Sequence, residues 1–131
     1  MNKIIPSSDN LYLQAYNLIV PSLVNDTSGH IPKWACEFLR NSFLEKIKTD
    51  NNYDNIYISR QKAISRNVIN EGKIINFLSN YGFKKIILED LTFKKQVEIF
   101  NSAKVIIAPH GAGLTNLVFC KEKTKVVELF S

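Results

Sequence analysis

Lys104 to Cys120 reads KVIIAPHGAGLTNLVFC. An apolar run ends at Pro109, and His110-Gly111-Ala112-Gly113 leads at once into a second apolar-periodic segment. The chain has five glycines and two histidines, so a turn that holds two of the first beside one of the second stands out. Glycine lets a backbone turn sharply and lets its N–H groups come close to a ligand. A helix starting just beyond would add unpaired N–H groups and a partial positive charge, and together these suit an anion, above all phosphate. Thr115 and Asn116 would fall in the first turn of that helix, within reach of the same ligand. Taken alone the signal is weak. It lacks the third glycine of GxGxxG and the GK[ST] of a phosphate-binding loop, and a tight structural turn with a hydrogen-bonded His110 accounts for it equally well. An esterase oxyanion loop would need a serine in GxSxG, which this chain does not contain.

Two further features bear on the same chemistry. ISRQKAISRN, residues 58–67, carries Arg60 at the end of an apolar run and Arg66 on the segment that follows. Guanidinium groups placed there can clamp a diphosphate through paired N–H donors, and two of the chain's three arginines lie in this stretch. Glu128 interrupts the apolar run KVVELF, where a carboxylate is costly unless it is exposed or paired. It can accept hydrogen bonds from a ribose, or simply sit at a strand end. No Asp-x-Asp occurs, so paired carboxylates are not expected to hold a nucleotide through a metal ion. Neutralisation of phosphate by arginine and backbone N–H groups is expected instead.

These residues must be positioned by the elements around them. NIYISR (55–60), KKIILE (84–89), KVIIAP (104–109) and TKVVELF (124–130) read as strands. Between them, EGKIINFLSNY is a helix with Asn70 as its cap, Ile74, Ile75, Leu78 and Tyr81 on one face, and Gly82 closing it. Thr92 opens FKKQVEIFNSA, with Phe93, Val97 and Phe100 at helical spacing. GLTNLVFC reads as the start of another helix. Near-continuous apolar strands alternating with helices predict an α/β fold with a parallel sheet buried on both faces. Ligands of such sheets bind at the C-terminal edge of the strands, where Arg60, Glu89, His110 and Phe130 would gather. Upstream, residues 11–22 read as extended, 25–30 as a turn cluster, and PKWACEFLRNSFLEKI as a helix begun by Pro32, with Trp34, Phe38, Leu39, Phe43 and Ile47 spaced along it.

With 131 residues, 45% hydrophobic and 22% charged, the chain suits one globular domain. Residues 1–54 are expected to lead into a Rossmann-like region at 55–131. No apolar run approaches the ~20 residues of a membrane helix, and no signal peptide is expected. The net charge of +5 comes from scattered lysines rather than an arginine stripe with interleaved aromatics, so nucleic acid is not expected as a partner. Cys36 and Cys120 form no CxxC and read as small buried hydrophobes of a reducing compartment. His30 and His110 show no metal-ligand spacing, and no metal site is expected.

The run SRQKAISRNVINEGKIINFLSNYGF, then EDLTFKKQVEIFNSAKVIIAPHGAGLTNLVF, then KVVELF, resembles glycosyltransferase family 61, the group of capsular-polysaccharide-type transferases. The strongest part is Lys104 to Phe119. Arg60, Arg66, Asn70 and Glu71, the segment from Leu91 to Gln96, and the strand with Glu128 follow in the family's order, and residues 20–43 resemble it more loosely. The resemblance implies one Rossmann-like lobe of a two-lobed, GT-B-type enzyme, the lobe that binds the nucleotide sugar. It implies inverting transfer to a glycan acceptor, with no cofactor or metal and a nucleoside-diphosphate sugar as donor. Arg60 and Arg66 would balance the diphosphate, and Gly111, Ala112, Gly113, Thr115 and Asn116 would cradle phosphate and sugar. Glu128 would lie near the nucleoside, and His110 beside the leaving phosphate or the sugar; His110 is one candidate for the catalytic base, and a carboxylate of the other lobe is an equal one. The implied setting is polysaccharide biosynthesis in the cytoplasm, with the whole enzyme at the inner face of the membrane. The chain is too short for two lobes, so it is expected to be essentially the donor lobe. A non-catalytic nucleotide- or phosphate-binding module would use the same anion site.

Overall fold

The computed structural model describes residues 31–45, 47, 48 and 50–130. The extended and turn segments expected at 11–22 and 25–30 lie outside the described residues. The elements in chain order are α1 (Lys33–Leu44), β1 (Asn55–Ile58), α2 (Glu71–Ser79), β2 (Lys84–Ile86), α3 (Phe93–Ser102), β3 (Val105–Pro109) and β4 (Lys125–Leu129). Short 3-10 turns stand at Asn51–Tyr53 and Leu88–Asp90, and a longer 3-10 run covers Ala112–Phe119.

The four strands form one parallel sheet in the order β2-β1-β3-β4. The expected α/β, Rossmann-like class is therefore the observed one. Its central strand β1 is buried on both faces, since Ile56, Tyr57 and Ile58 are all inaccessible to solvent, as its unbroken apolar sequence requires. β4 lies at an edge, and Val126 and Val127 there remain exposed. On one side of the sheet Ile56, Ile58, Ile106 and Ala108 pack with Val97 and Phe100 of α3, Leu88 and Phe119.

The helices end where their caps predict, with one exception. Thr92 accepts a hydrogen bond from the Lys95 backbone N–H and opens α3. Gly82 adopts φ +74° just beyond α2, the left-handed conformation that closes a helix without a Cβ clash. Asn70 occupies the N-cap position of α2, but its side chain makes no capping bond. Pro32 precedes α1 as expected, yet Trp34 and Phe38 project into solvent, while Leu39 and Leu44 pack on the core. Among the described residues no helix is long and apolar enough to cross a membrane.

Two boundaries differ from the sequence reading in ways that matter for the site. KKIILE does not stay extended to Glu89: β2 stops at Ile86 and the chain coils into the turn Leu88–Asp90. The segment after Gly113 is a 3-10 run rather than an α-helix. Its end is pinned from outside by Arg40 of α1, whose Nη1 donates to the Val118 and Cys120 carbonyls at 2.7 Å each. Phe119 is held in an edge-to-face cluster with Phe43 and Phe93. The run is thus stabilised by tertiary contacts, which override local propensity. Cys36 and Cys120 are free and partly buried, and burial pushes the Cys120 thiol up to about 11 against the opposing pull of Arg40.

Candidate functional site

The chain leaves β1 toward β2 on one side, then crosses back past β1 to reach β3 on the other. β1 and β3 are neighbours whose outgoing connections run in opposite directions, and such a switch point opens a crevice beyond the strand C-termini. A cavity of about 300 Å³ lies there, lined by Ser59 and Arg60 after β1, Leu88 and Glu89 after β2, Pro109 at the end of β3, and Ala112, Gly113 and Asn116 of the 3-10 run. A second cavity of about 330 Å³ lies on the other side of Pro109, lined by Arg66, Asn70, His110, Leu129 and Phe130.

The structure therefore divides the sequence-predicted site residues between two adjoining cavities. Arg60, Ala112, Gly113 and Asn116 line the first, and Arg66 and His110 the second. Pro109 is common to both. Glu128 approaches the second through its bond to His110. Thr115 is exposed and lines neither cavity. Asn116 commits one of its two amide N–H donors to Gln96 Oε1, at 3.0 Å.

The two glycines of the turn act by space rather than by dihedral angle. Gly111 is extended, with φ 165°, a conformation open to any residue, and Gly113 lies outside the left-handed region. A Cβ on Gly111 would stand 1.9 Å from Arg60 Nη1, and one on Gly113 would stand 2.7 Å from Leu88 Cδ1. Gly111 is the floor on which the Arg60 guanidinium lies. Arg60 Nη2 donates to the Ser65 carbonyl at 3.2 Å, while its Nε is buried with no acceptor among the described residues. A buried, unsatisfied donor on a cationic group is costly.

The 3-10 run starts at this same place. Its first bond is from the Leu114 N–H to the Gly111 carbonyl, at 3.0 Å, which leaves the Ala112 and Gly113 N–H groups ahead of the hydrogen-bond ladder. Initial N–H groups of any helical run lack an internal partner, and here both residues line the first cavity.

Three residues that the sequence reading left without a role hold this edge in place. Glu71, at the start of α2, accepts from the Tyr57 hydroxyl at 3.1 Å and the Ser59 hydroxyl at 2.9 Å. Burial, reinforced by that carboxylate, raises the Tyr57 hydroxyl well above its ordinary pKa, so it remains a donor. This contact ties both ends of the 60–70 loop together, with Arg60 and Arg66 between them. Gln96 of α3 donates to the Leu88 carbonyl at 2.9 Å and the Leu91 carbonyl at 3.3 Å while accepting from Asn116. It thereby fixes the short turn after β2 against the 3-10 run. Phe130 stacks on the His110 ring, centroids 5.2 Å apart and planes at 24°. A glutamate in the first turn of a helix ordinarily reads as a dipole partner, so Glu71 stood out only within the Arg60–Glu71 motif and its contact with Tyr57 and Ser59 was not legible. Gln96 stood out only within the segment Leu91–Gln96.

In architecture this is a Rossmann-like α/β protein with a crevice at the topological switch point. The family model described as glycosyltransferase 61 matches residues 2–127, and the chain belongs to that family. It is similar to the EGF domain-specific O-linked N-acetylglucosamine transferase of Drosophila melanogaster, 32% identical over 78 residues, which is 57% of this chain and 15% of that protein. The protein of the same name from Gallus gallus is 30% identical over 71 residues, 50% of this chain and 13% of that protein. The matched segments thus span less than a sixth of either relative.

Proposed function

We propose that this chain is the nucleotide-sugar-binding lobe of an inverting glycosyltransferase of the GT-B type, which transfers a sugar to a glycan acceptor in polysaccharide biosynthesis without a bound metal. The single observation that carries the reading is the switch-point cavity, where the Arg60 guanidinium rests on Gly111 with a buried Nε lacking an acceptor among the described residues. A phosphate oxygen is the acceptor that such a group recognises best. The Ala112 and Gly113 N–H groups border the same space, and Arg66 flanks it across Pro109. Arg60 and Arg66 then balance the diphosphate from its two sides, doing the work that a metal ion and paired carboxylates do elsewhere. In the reaction an acceptor hydroxyl attacks the anomeric carbon and the nucleoside diphosphate departs. Charge grows on the leaving phosphate, and donors already aimed at it stabilise the transition state most. Family membership supports transfer of a sugar, and the names of the two relatives fit an acceptor-directed transferase.

The test is a transfer reaction with UDP-, GDP- and CDP-activated sugars and a glycan acceptor, run with EDTA present. The expected result is one accepted donor and a product whose anomeric configuration, read by proton NMR, is opposite to the donor's. Retained configuration, or activity abolished by EDTA and restored by a divalent ion, contradicts the proposal.

A further inference from the structure

His110 ends β3 and Glu128 lies in the adjoining strand β4, where the register sets Ala108 beside Glu128. His110 Nδ1 is 2.6 Å from Glu128 Oε1. The backbone is held too, since the His110 N–H donates to the Leu129 carbonyl at 2.9 Å, and Phe130 covers one face of the ring. A carboxylate can only accept, so in the neutral imidazole the proton sits on Nδ1 and Nε2 is bare. That bare nitrogen belongs to a half-exposed ring, 50% accessible, at a cavity whose other charged lining group is Arg66.

We propose that His110 is the proton acceptor of the transfer reaction and that Glu128 is the positioning residue that sets its tautomer and orientation. This rests on the donor-lobe reading given above. In the step, the acceptor hydroxyl oxygen forms a bond to the anomeric carbon. The bond from that carbon to the phosphate oxygen breaks, and its electron pair leaves with the nucleoside diphosphate. The hydroxyl proton passes to His110 Nε2, and Glu128 accompanies the resulting imidazolium. Glu128 is thereby assigned to the histidine, which its Oε1 already engages.

The two assignments separate experimentally. With the chain labelled with ¹⁵N-histidine, the two histidines are told apart by His110→Ala, and the imidazole nitrogen shifts report the tautomer. The wild type is expected to show Nδ1–H at His110, Glu128→Ala to move it toward the Nε2–H form common in free imidazole, and Glu128→Asp to keep part of the wild-type signature. Unchanged amide dispersion establishes that the variants fold. In hydrolysis of UDP-, GDP- and CDP-activated hexoses, kcat should fall about tenfold or more in Glu128→Ala and further in His110→Ala, with KM within about twofold of wild type. A tautomer indifferent to Glu128→Ala overturns the positioning role. A raised KM with kcat unchanged overturns it as well and returns Glu128 to the nucleotide. If the wild type binds none of UDP, GDP and CDP, the donor-lobe reading falls and the base role with it, while the tautomer shift still decides whether Glu128 sets the ring.

Discussion

Replacing Arg60 with alanine removes a guanidinium that lines the switch-point cavity and, among the described residues, bonds otherwise only to the Ser65 carbonyl. Nucleoside diphosphate affinity should then fall about tenfold or more, the equivalent of one lost charge-assisted hydrogen bond. Gly111→Ala offers a subtler test of the same contact. The new Cβ would meet the end of a flexible side chain, Arg60 Nη1 at 1.9 Å, so the chain should fold with a stability loss of only about 1 kcal/mol. Yet the guanidinium must leave its floor, and affinity should drop nearly as far as in Arg60→Ala. A Gly111→Ala protein that binds as well as wild type in calorimetry would show that the position of Arg60 on the turn does not matter. Residue types suggested the anion chemistry proposed for Arg60, Arg66 and the turn. They could not disclose why the glycines are there. From sequence, glycine suggests an unusual dihedral or a close approach, and only the packing of Arg60 and Leu88 on these positions decides for the second.

At the scale of elements, Gln96 is the clearest example of a long-range fixture. One side-chain amide joins the turn after β2, α3 itself and the 3-10 run. Gln96→Ala leaves the Leu88 and Leu91 carbonyls and the Asn116 amide without this partner, and should cost about 1–3 kcal/mol, visible as a lowered Tm. Because Leu88 and Asn116 line the first cavity, nucleotide affinity should weaken in the same variant. Thermal denaturation that matches wild type would reduce Gln96 to a surface amide. Element existence was legible from sequence: apolar runs gave the four strands, and Thr92 and Gly82 marked helix boundaries through local chemistry. The 3-10 geometry of Ala112–Phe119 was not. Its apolar spacing fits a helix of either kind, and the choice is made by Arg40 and the Phe43–Phe93–Phe119 cluster, contacts between residues distant in sequence. The early end of β2 is likewise set by the burial of Leu88 and by Gln96, not by any break in KKIILE.

At the scale of the whole molecule, the order β2-β1-β3-β4 matters more than any single element, because it makes β1 and β3 diverge and opens the crevice between their ends. Among the described residues, the four strands and their parallel direction could be read in the chain. Strand order adds what no local pattern contains: Arg60 and His110 fall on opposite sides of Pro109, each in its own cavity. A net charge of +5 favours approach of an anionic donor without choosing it. The central claim is that this crevice binds a nucleoside diphosphate through Arg60. The most direct measurement is a calorimetric titration of the chain with UDP, GDP, CDP and inorganic phosphate, repeated on Arg60→Ala. Saturable binding of one diphosphate, much tighter than phosphate and weakened about tenfold or more by the substitution, is the predicted result. Equal affinity of wild type and Arg60→Ala for every one of these ligands would contradict it.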